Sequence, residues 1–279
     1  MLSETNFIMK FLLVSMFVIG LSMSDILASS KGLQQHEVTF REKRNTESFS
    51  SPYYQQPQYP RDCTEVYNQC EGQSIDGVYL IKPEGSTEPF EVYCNNSIDG
   101  GGWTVFQRRI DGFVEFNRNW NGYKNGFGFL RRDFWLGNDK ISYLTNQKKY
   151  ELRIDMNNVN GQSYFAKYNL FRISDEGSKY RLVGLGDYDS TSTANNDAMA
   201  VSRNLSFTTH DRDNDNLNSD NCASRHLGGW WYHHCAHARL NSLYNAGLTD
   251  EKSIKWENLP GGRFHIKYTE MKIRPLRNS

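Results

Sequence analysis

The chain lacks what marks several large protein classes. Its 32 basic and 32 acidic residues cancel at neutral pH. Duplex-binding proteins draw affinity from phosphate contacts made by excess Lys and Arg, so a nucleic-acid partner is not expected. No Gly-x-y period and no sustained heptad pattern run through it, which excludes collagen-like and coiled-coil rods. No Gly-x-Ser-x-Gly, HExxH or phosphate-loop string is present, so nothing marks hydrolase or nucleotide chemistry and no enzyme is expected. No CxxC occurs among its 5 cysteines, which argues against redox and zinc-ribbon readings. Long apolar runs are missing too, apart from one near the start.

That run, Phe11 to Ile19, follows Lys10 and precedes the small residues Gly20, Ser22 and Ser24. It is shorter than the ~20 residues a membrane span needs. A basic step, a short apolar stretch and small residues read as a secretory signal peptide over 1–24. No membrane span is expected in the mature, secreted and extracellular chain. Residues 25–60 are polar and end in the Gln-, Tyr- and Pro-rich string SSPYYQQPQYP. They read as a disordered propeptide or linker. Within them Arg41-Glu42-Lys43-Arg44 offers a basic site to secretory convertases, and cleavage there would start the mature chain at Asn45.

Residues 61–279 show no composition break and read as one domain. Hydrophobic residues make up 38% of the chain and aromatics 14%, enough for a folded core. Apolar and polar residues alternate in VYLI (78–81), FEVYC (90–94), WTVFQRRI (103–110), KYELRIDM (149–156) and FHIKYTEMKIRP (264–275). These are half-buried strand patterns. FLRRDFWLG and ISYLTN are candidate short helices. The class is α+β, with antiparallel sheets, short helices and long loops. An oxidising compartment favours disulfides among Cys63, Cys70, Cys94, Cys222 and Cys235. Cys222 and Cys235 close a short loop, and either Cys63 or Cys70 reaches Cys94. Each bridge is worth roughly 3–4 kcal/mol. The odd cysteine is either buried and free or links two chains.

Two segments carry chemistry. FTTHDRDNDNLNSDNC (207–222) alternates Asp211, Asp213 and Asp215, with Asp220 beyond. Carboxylates at this density repel, and hard oxygen ligands suit calcium. An EF-hand would need Gly and Glu where Asn216 and Cys222 stand. GGWWYHHCAHARLN (228–241) combines flat apolar area with His233, His234 and His237, and His226 precedes it. Aromatic walls with a few polar atoms suit sugar rings, although Trp230 and Trp231 read first as core. Zinc at His233, His234 and His237 is disfavoured, because adjacent residues on a strand point in different directions. Sequons at Asn95-Asn96-Ser97 and Asn204-Leu205-Ser206 are candidate glycosylation sites at Asn95 and Asn204.

The strings GVYLIKP, VYC, GGGWTVFQRR, FWLGNDKI, LRIDM, DRDND, GGWWYHHC and TEMKIRP stand in order across nearly all of 61–279. Together they resemble the fibrinogen C-terminal-related domain family, which includes ficolin- and tachylectin-like secreted lectins. The resemblance implies a single globular domain of that fold, with bridges Cys63–Cys94 and Cys222–Cys235. Cys70 is then the odd cysteine, able to link a dimer. It implies Ca2+ held by Asp213 and Asp215, with main-chain oxygens from Leu217 and Ser219. It also implies an acetyl-group pocket beside the second bridge, formed by His226, His234, Cys235 and His237, with a cis peptide at His234–Cys235. Pocket positions differ from the family pattern: Ala236 follows the cysteine, His226 replaces an aromatic wall and Gly262 replaces a tyrosine. The implied function is a secreted calcium-dependent recognition lectin for glycans or acetylated groups in innate defence. The alternative is a non-lectin extracellular ligand, matrix or venom component that uses the same domain for protein contacts.

Overall fold

A computed structural model describes residues 58–72, 75–244, 251–264 and 266–276. The expected signal peptide, the cleavage after Arg44 and the linker up to residue 57 lie outside them. Gln55–Ser279 group as one unit by their contacts. The domain begins with α1 (Cys63–Gln69), capped where the Asp62 side chain accepts from Glu65 N at 3.0 Å. A carboxylate at this position satisfies an otherwise orphaned N–H. Lys148 and the Tyr150 hydroxyl also reach Asp62, at 2.9 and 2.7 Å, so the cap fastens the domain entrance to the sheet.

The strands then follow: β1 (Gly77–Ile81), β2 (Phe90–Asn95), β3 (Trp103–Arg109), β4 (Phe127–Gly128) and β5 (Phe134–Trp135). After them come β6 (Tyr150–Asn158), β7 (Ser163–Arg172), β8 (Gly184–Leu185), β9 (Ala238–Arg239), β10 (Lys255–Trp256) and β11 (Ile266–Pro275). Further helices are α2 (Trp120–Asn125), α3 (Asn138–Gln147) and α4 (Cys222–His226). The main sheet is antiparallel in the order β1-β2-β3-β11-β6-β7-β8, with β5 pairing beside β3 and β4 beside β5. The last strand therefore sits at the centre. ISYLTN is helical within α3, as expected. FLRRDFWLG is not: Phe134 and Trp135 pair with Arg108 and Gln107 on β3, so sheet pairing overrides its helix-like composition. β7 was not anticipated.

β11 shows why the centre is stable. Met271 and Ile273 face the core with Leu152, Ile154 and Met156 of β6, all fully buried. On the other face Glu270, Lys272 and Arg274 are buried as well. They survive there because every charge is met. Glu270 accepts from Arg108 Nε at 2.6 Å, Lys272 Nζ at 2.8 Å, Asn95 Nδ2 at 2.9 Å and the Tyr268 hydroxyl at 3.0 Å. Lys272 also pairs with Asp155 at 2.6 Å, and Arg274 with Glu151 at 2.7 Å. Burial pushes the Glu270 carboxyl up, but Lys272 and Arg108 outweigh it and hold the group at about 2.

β3 is buried along its whole length, and its polar residues hold the distal part of the domain. Gln107 Nε2 donates to Leu240 O at 3.0 Å, and Arg109 Nη1 donates to Ser242 O at 2.6 Å. Asn241 Nδ2 in turn donates to Gly229 O at 3.1 Å. The 228–229 turn packs so closely that a Cβ on Gly228 would lie 2.2 Å from Asn241 O. Next to it, Trp231 is fully buried against Phe207, Trp135, Phe171 and Trp230. Its Nε1 donates to Tyr180 O at 2.8 Å. Trp230, Trp231 and Tyr232 are thus core.

Removing one member of a buried, hydrogen-bonded ion network leaves the others uncompensated, at about 3–5 kcal/mol. Glu270→Gln is therefore expected to cost about 3 kcal/mol in denaturant unfolding at pH 7. A carboxyl held low in the folded chain stabilises fully above its unfolded value of 4.5. That stability is lost as the pH falls through about 2. Between these limits the parent chain should lose more stability than the variant does. Equal pH slopes for the two would refute the role given to Glu270.

Candidate functional site

The aspartate segment 211–220 separates its carboxylates by role. Asp211 is exposed, but its Oδ1 is taken up structurally, accepting from Trp120 N in the first turn of α2 at 2.9 Å and from the Thr209 hydroxyl at 2.7 Å. Asp220 Oδ1 accepts from its neighbour Asn221 N at 2.9 Å. Asp213 and Asp215 remain, one exposed and one half-buried, with Asp215 N donating to Asp213 Oδ1 at 3.1 Å. Asp215 Oδ1 accepts from Leu217 N at 2.7 Å, and its Oδ2 accepts from Cys222 N at 2.8 Å. Burial first pushes the Asp215 carboxyl above its ordinary value. Hydrogen bonds from Cys222 and Leu217 pull it partly back, and the nearby charge of Asp213 raises it again.

A carboxylate whose ionisation a neighbouring carboxylate opposes, as Asp213 opposes that of Asp215, is the condition a divalent cation relieves. The donor set of Asp213 and Asp215 fits a hard oxygen-seeking ion. Among the described residues no group of three or more His, Cys, Asp or Glu side chains converges on one point. Main-chain oxygens would have to complete such a site. The Leu217 carbonyl meets Asp220 N at only 3.4 Å.

The loop is bound to the second bridge. Cys222 and Cys235 are joined, as are Cys63 and Cys94, with Cα separations of 5.3 and 5.4 Å. Cys70 is left free and exposed, which removes the buried alternative for it. Asn221 caps α4 by accepting from Ser224 N at 3.0 Å. Asn216 N donates to His233 O at 3.0 Å, so the aspartate loop hydrogen-bonds to the segment that leads into Cys235. The His234–Cys235 peptide is trans, contrary to expectation, since no cis bond occurs among the described residues. Cys235 takes φ 59° instead, and this left-handed residue turns the chain between His233 and Ala236.

Beside the bridge opens a cleft of about 450 Å³. All four expected ligand-binding residues, His226, His234, Cys235 and His237, line it, and Leu217 of the expected calcium set lines it too. Burial above all, then Arg239, lowers the His226 imidazole to about 4, so it is neutral near pH 7. Its Nδ1 lies 2.8 Å from Glu251 O. A carbonyl only accepts, so Nδ1 carries the proton. His233 and His234 bring their Nδ1 atoms to 2.6 Å, so one ring donates to the other. Among the described residues no Trp, Tyr or Phe lines the cleft. Sequence reasoning missed Arg225, Arg239, Glu251 and Lys255 in its walls. Arg225 stands three residues after Cys222, but the others arrive through the β9–β10 pairing.

Fold and site define a disulfide-stapled antiparallel-sheet domain with an acidic loop coupled to a polar cleft. The family described as fibrinogen beta and gamma chains, C-terminal globular domain, matches residues 59–276, and the protein belongs to that family. It is 42% identical over 288 residues to fibrinogen-like protein A of Apostichopus parvimensis, across 96% of its own length and 98% of that protein's. The fibrinogen-like globe domain of human ANGPTL2 matches with TM-score 0.71 and 39% identity, covering 77% of this protein and 99% of that domain. A lamprey fibrin D-dimer complexed with Gly-His-Arg-Pro-amide matches with TM-score 0.69 and 29% identity, covering 99% of this protein and 88% of that one.

The two sequons differ in surroundings. The Asn95 side-chain nitrogen is held by Glu270, and Ser97 Oγ donates to Asp76 Oδ2 at 2.8 Å. Asn204 is exposed in a turn at φ 60°. A glycan on Asn95 would break its bond in the buried network. Site mapping of the full chain, expressed in eukaryotic cells and enzymatically deglycosylated, should find Asn204 modified and Asn95 bare. An occupied Asn95 would contradict this.

Proposed function

We propose that the protein is a secreted, non-catalytic recognition lectin that binds a polar glycan in the cleft beside Cys222–Cys235. In this reading Asp213 and Asp215, with the main-chain oxygens of Leu217 and Ser219, hold Ca2+ behind that cleft. The supporting observation is the hydrogen bonding around Asp215. One carboxylate fixes Leu217 N and Cys222 N, and the adjacent Asn216 N fixes His233 O. Bound calcium would supply the positive charge that lets both carboxylates stay ionised at close range. Asp215 then holds the start of α4, and Asn216 holds the segment that carries His234 and Cys235. A cleft so braced is presented to ligand in one shape, which lowers the ordering cost of binding. Outside the cell, such a module would serve host defence by marking foreign surfaces.

The peptide complex of the lamprey structure supports a second reading, in which the same domain contacts proteins. That peptide contains arginine, whereas Arg225, Arg239 and Lys255 line this cleft. A cleft so charged disfavours a basic peptide, and the glycan reading takes precedence. Exposed Cys70 would supply a disulfide-linked dimer, whose paired clefts gain avidity on a repetitive surface.

A ligand at a hundredfold excess over its Kd stabilises by about 2.7 kcal/mol. For a domain of this size that is about 5 °C or more in Tm. Calcium should raise the midpoint of the secreted chain by that amount in a thermal scan. Replacing Asp213→Asn together with Asp215→Asn should abolish the shift. An unshifted parent would end the calcium claim.

A further inference from the structure

β9 and β10 pair with Lys255 directly opposite Arg239. Like charges placed opposite each other on a two-stranded ribbon destabilise it, and both residues are buried, Arg239 to 2% exposure. Lys255 is neutralised within the fold, but Arg239 is so only in part. Lys255 Nζ pairs with Glu257 at 2.5 Å. Arg239 Nη2 donates to the Glu251 carbonyl, and the Glu251 carboxylate lies at 3.3 Å but is 66% exposed. Arg239 Nε has no hydrogen-bond partner among the described residues. Arg225, exposed at the end of α4, makes no ion pair among the described residues. All three cations line the cleft, and among the described residues Glu251 is the one carboxylate that lines it with them.

Among the described residues the other walls add no charge of the opposite sign and no stacking surface. Neutral His226 sits between the cations, and the His233–His234 pair closes on itself. Trp230, Trp231 and Tyr232, which could have stacked on a neutral sugar, lie in the core. Apolar side chains in the lining are confined to Val201, Leu217, Ala236 and the bridged Cys235. That leaves no deep slot for a peptide's apolar anchor. Guanidinium groups bind planar or tetrahedral oxyanions through paired N–H donors.

We propose that the cleft is specific for an oxyanion, carboxylate or sulfate, carried on a glycan. Arg225 meets the anion at the rim, and Arg239 and Lys255 supply the positive field behind it. This rests on the glycan reading given above and narrows it. It also accounts for two buried cations standing opposite each other, because a bound anion completes their neutralisation.

The test is a binding titration of the full secreted chain in calcium against matched probes. These are oligogalacturonate and its methyl ester, dextran sulfate and dextran, chitotriose, and poly-L-glutamate. The expected result is at least tenfold tighter binding of one or both anionic glycans than of their neutral counterparts. The two anionic arms distinguish carboxylate from sulfate. Arg225→Gln should weaken that binding about tenfold while keeping the calcium-induced rise in Tm, which shows that the variant is folded. Arg239→Gln, which removes part of the positive field behind the anion, should weaken it as well. Equal binding of charged and neutral glycans, or binding of chitotriose alone, overturns the oxyanion proposal and keeps the glycan reading. Polyglutamate bound as tightly as the anionic glycans, or Arg225→Gln without effect, also overturns the oxyanion proposal. Silence of every glycan overturns both.

Discussion

The functional end of this molecule depends on where one carboxylate, that of Asp215, is placed. It is half-buried, beside a second carboxylate, and clamped by two backbone N–H groups from different elements. One of those N–H groups belongs to Cys222, so the acidic loop, the first turn of α4 and the disulfide cannot move independently. The neighbouring Asn216 N extends the same constraint to His233. A charge change at Asp215 is therefore felt at the wall of the cleft, through contacts a few ångströms long.

The sheet supplies the rigid frame for this. β11 closes its centre with an apolar face toward the core and a fully paired charged face on the other side. β3 carries buried polar side chains that reach across to 240–242 and, through Asn241, to the 228–229 turn. The long loops that bear the site are thus hydrogen-bonded to the most buried strand in the fold. This explains how segments with little regular structure hold a defined cleft.

Much of this was legible in the residues. The alternating runs at 78–81, 90–94, 103–110, 149–156 and 264–275 became strands within one or two residues of those limits. Asp213 and Asp215 are joined by a backbone-to-carboxylate bond, and His226, His234 and His237 line one cleft with Cys235. β7 was missed, because SYFAKYNLFR carries no clean period. β4, β5, β8, β9 and β10 are two residues long, too short to leave a pattern. FLRRDFWLG misled because local composition does not report pairing to β3. The cleft cations were invisible for a related reason. Arg239 and Lys255 are distant in sequence, and only the β9–β10 register places them opposite each other. The cis peptide expected from the family resemblance is replaced by a trans bond and a left-handed Cys235.

The central claim is that the acidic loop and the cleft form one mechanical unit. Hydrogen exchange of the full chain, with calcium and with chelator, tests it directly. The account predicts that calcium slows amide exchange in 213–222 and, in the same titration, in 233–237. Protection confined to the acidic loop, with 233–237 exchanging as before, would contradict it.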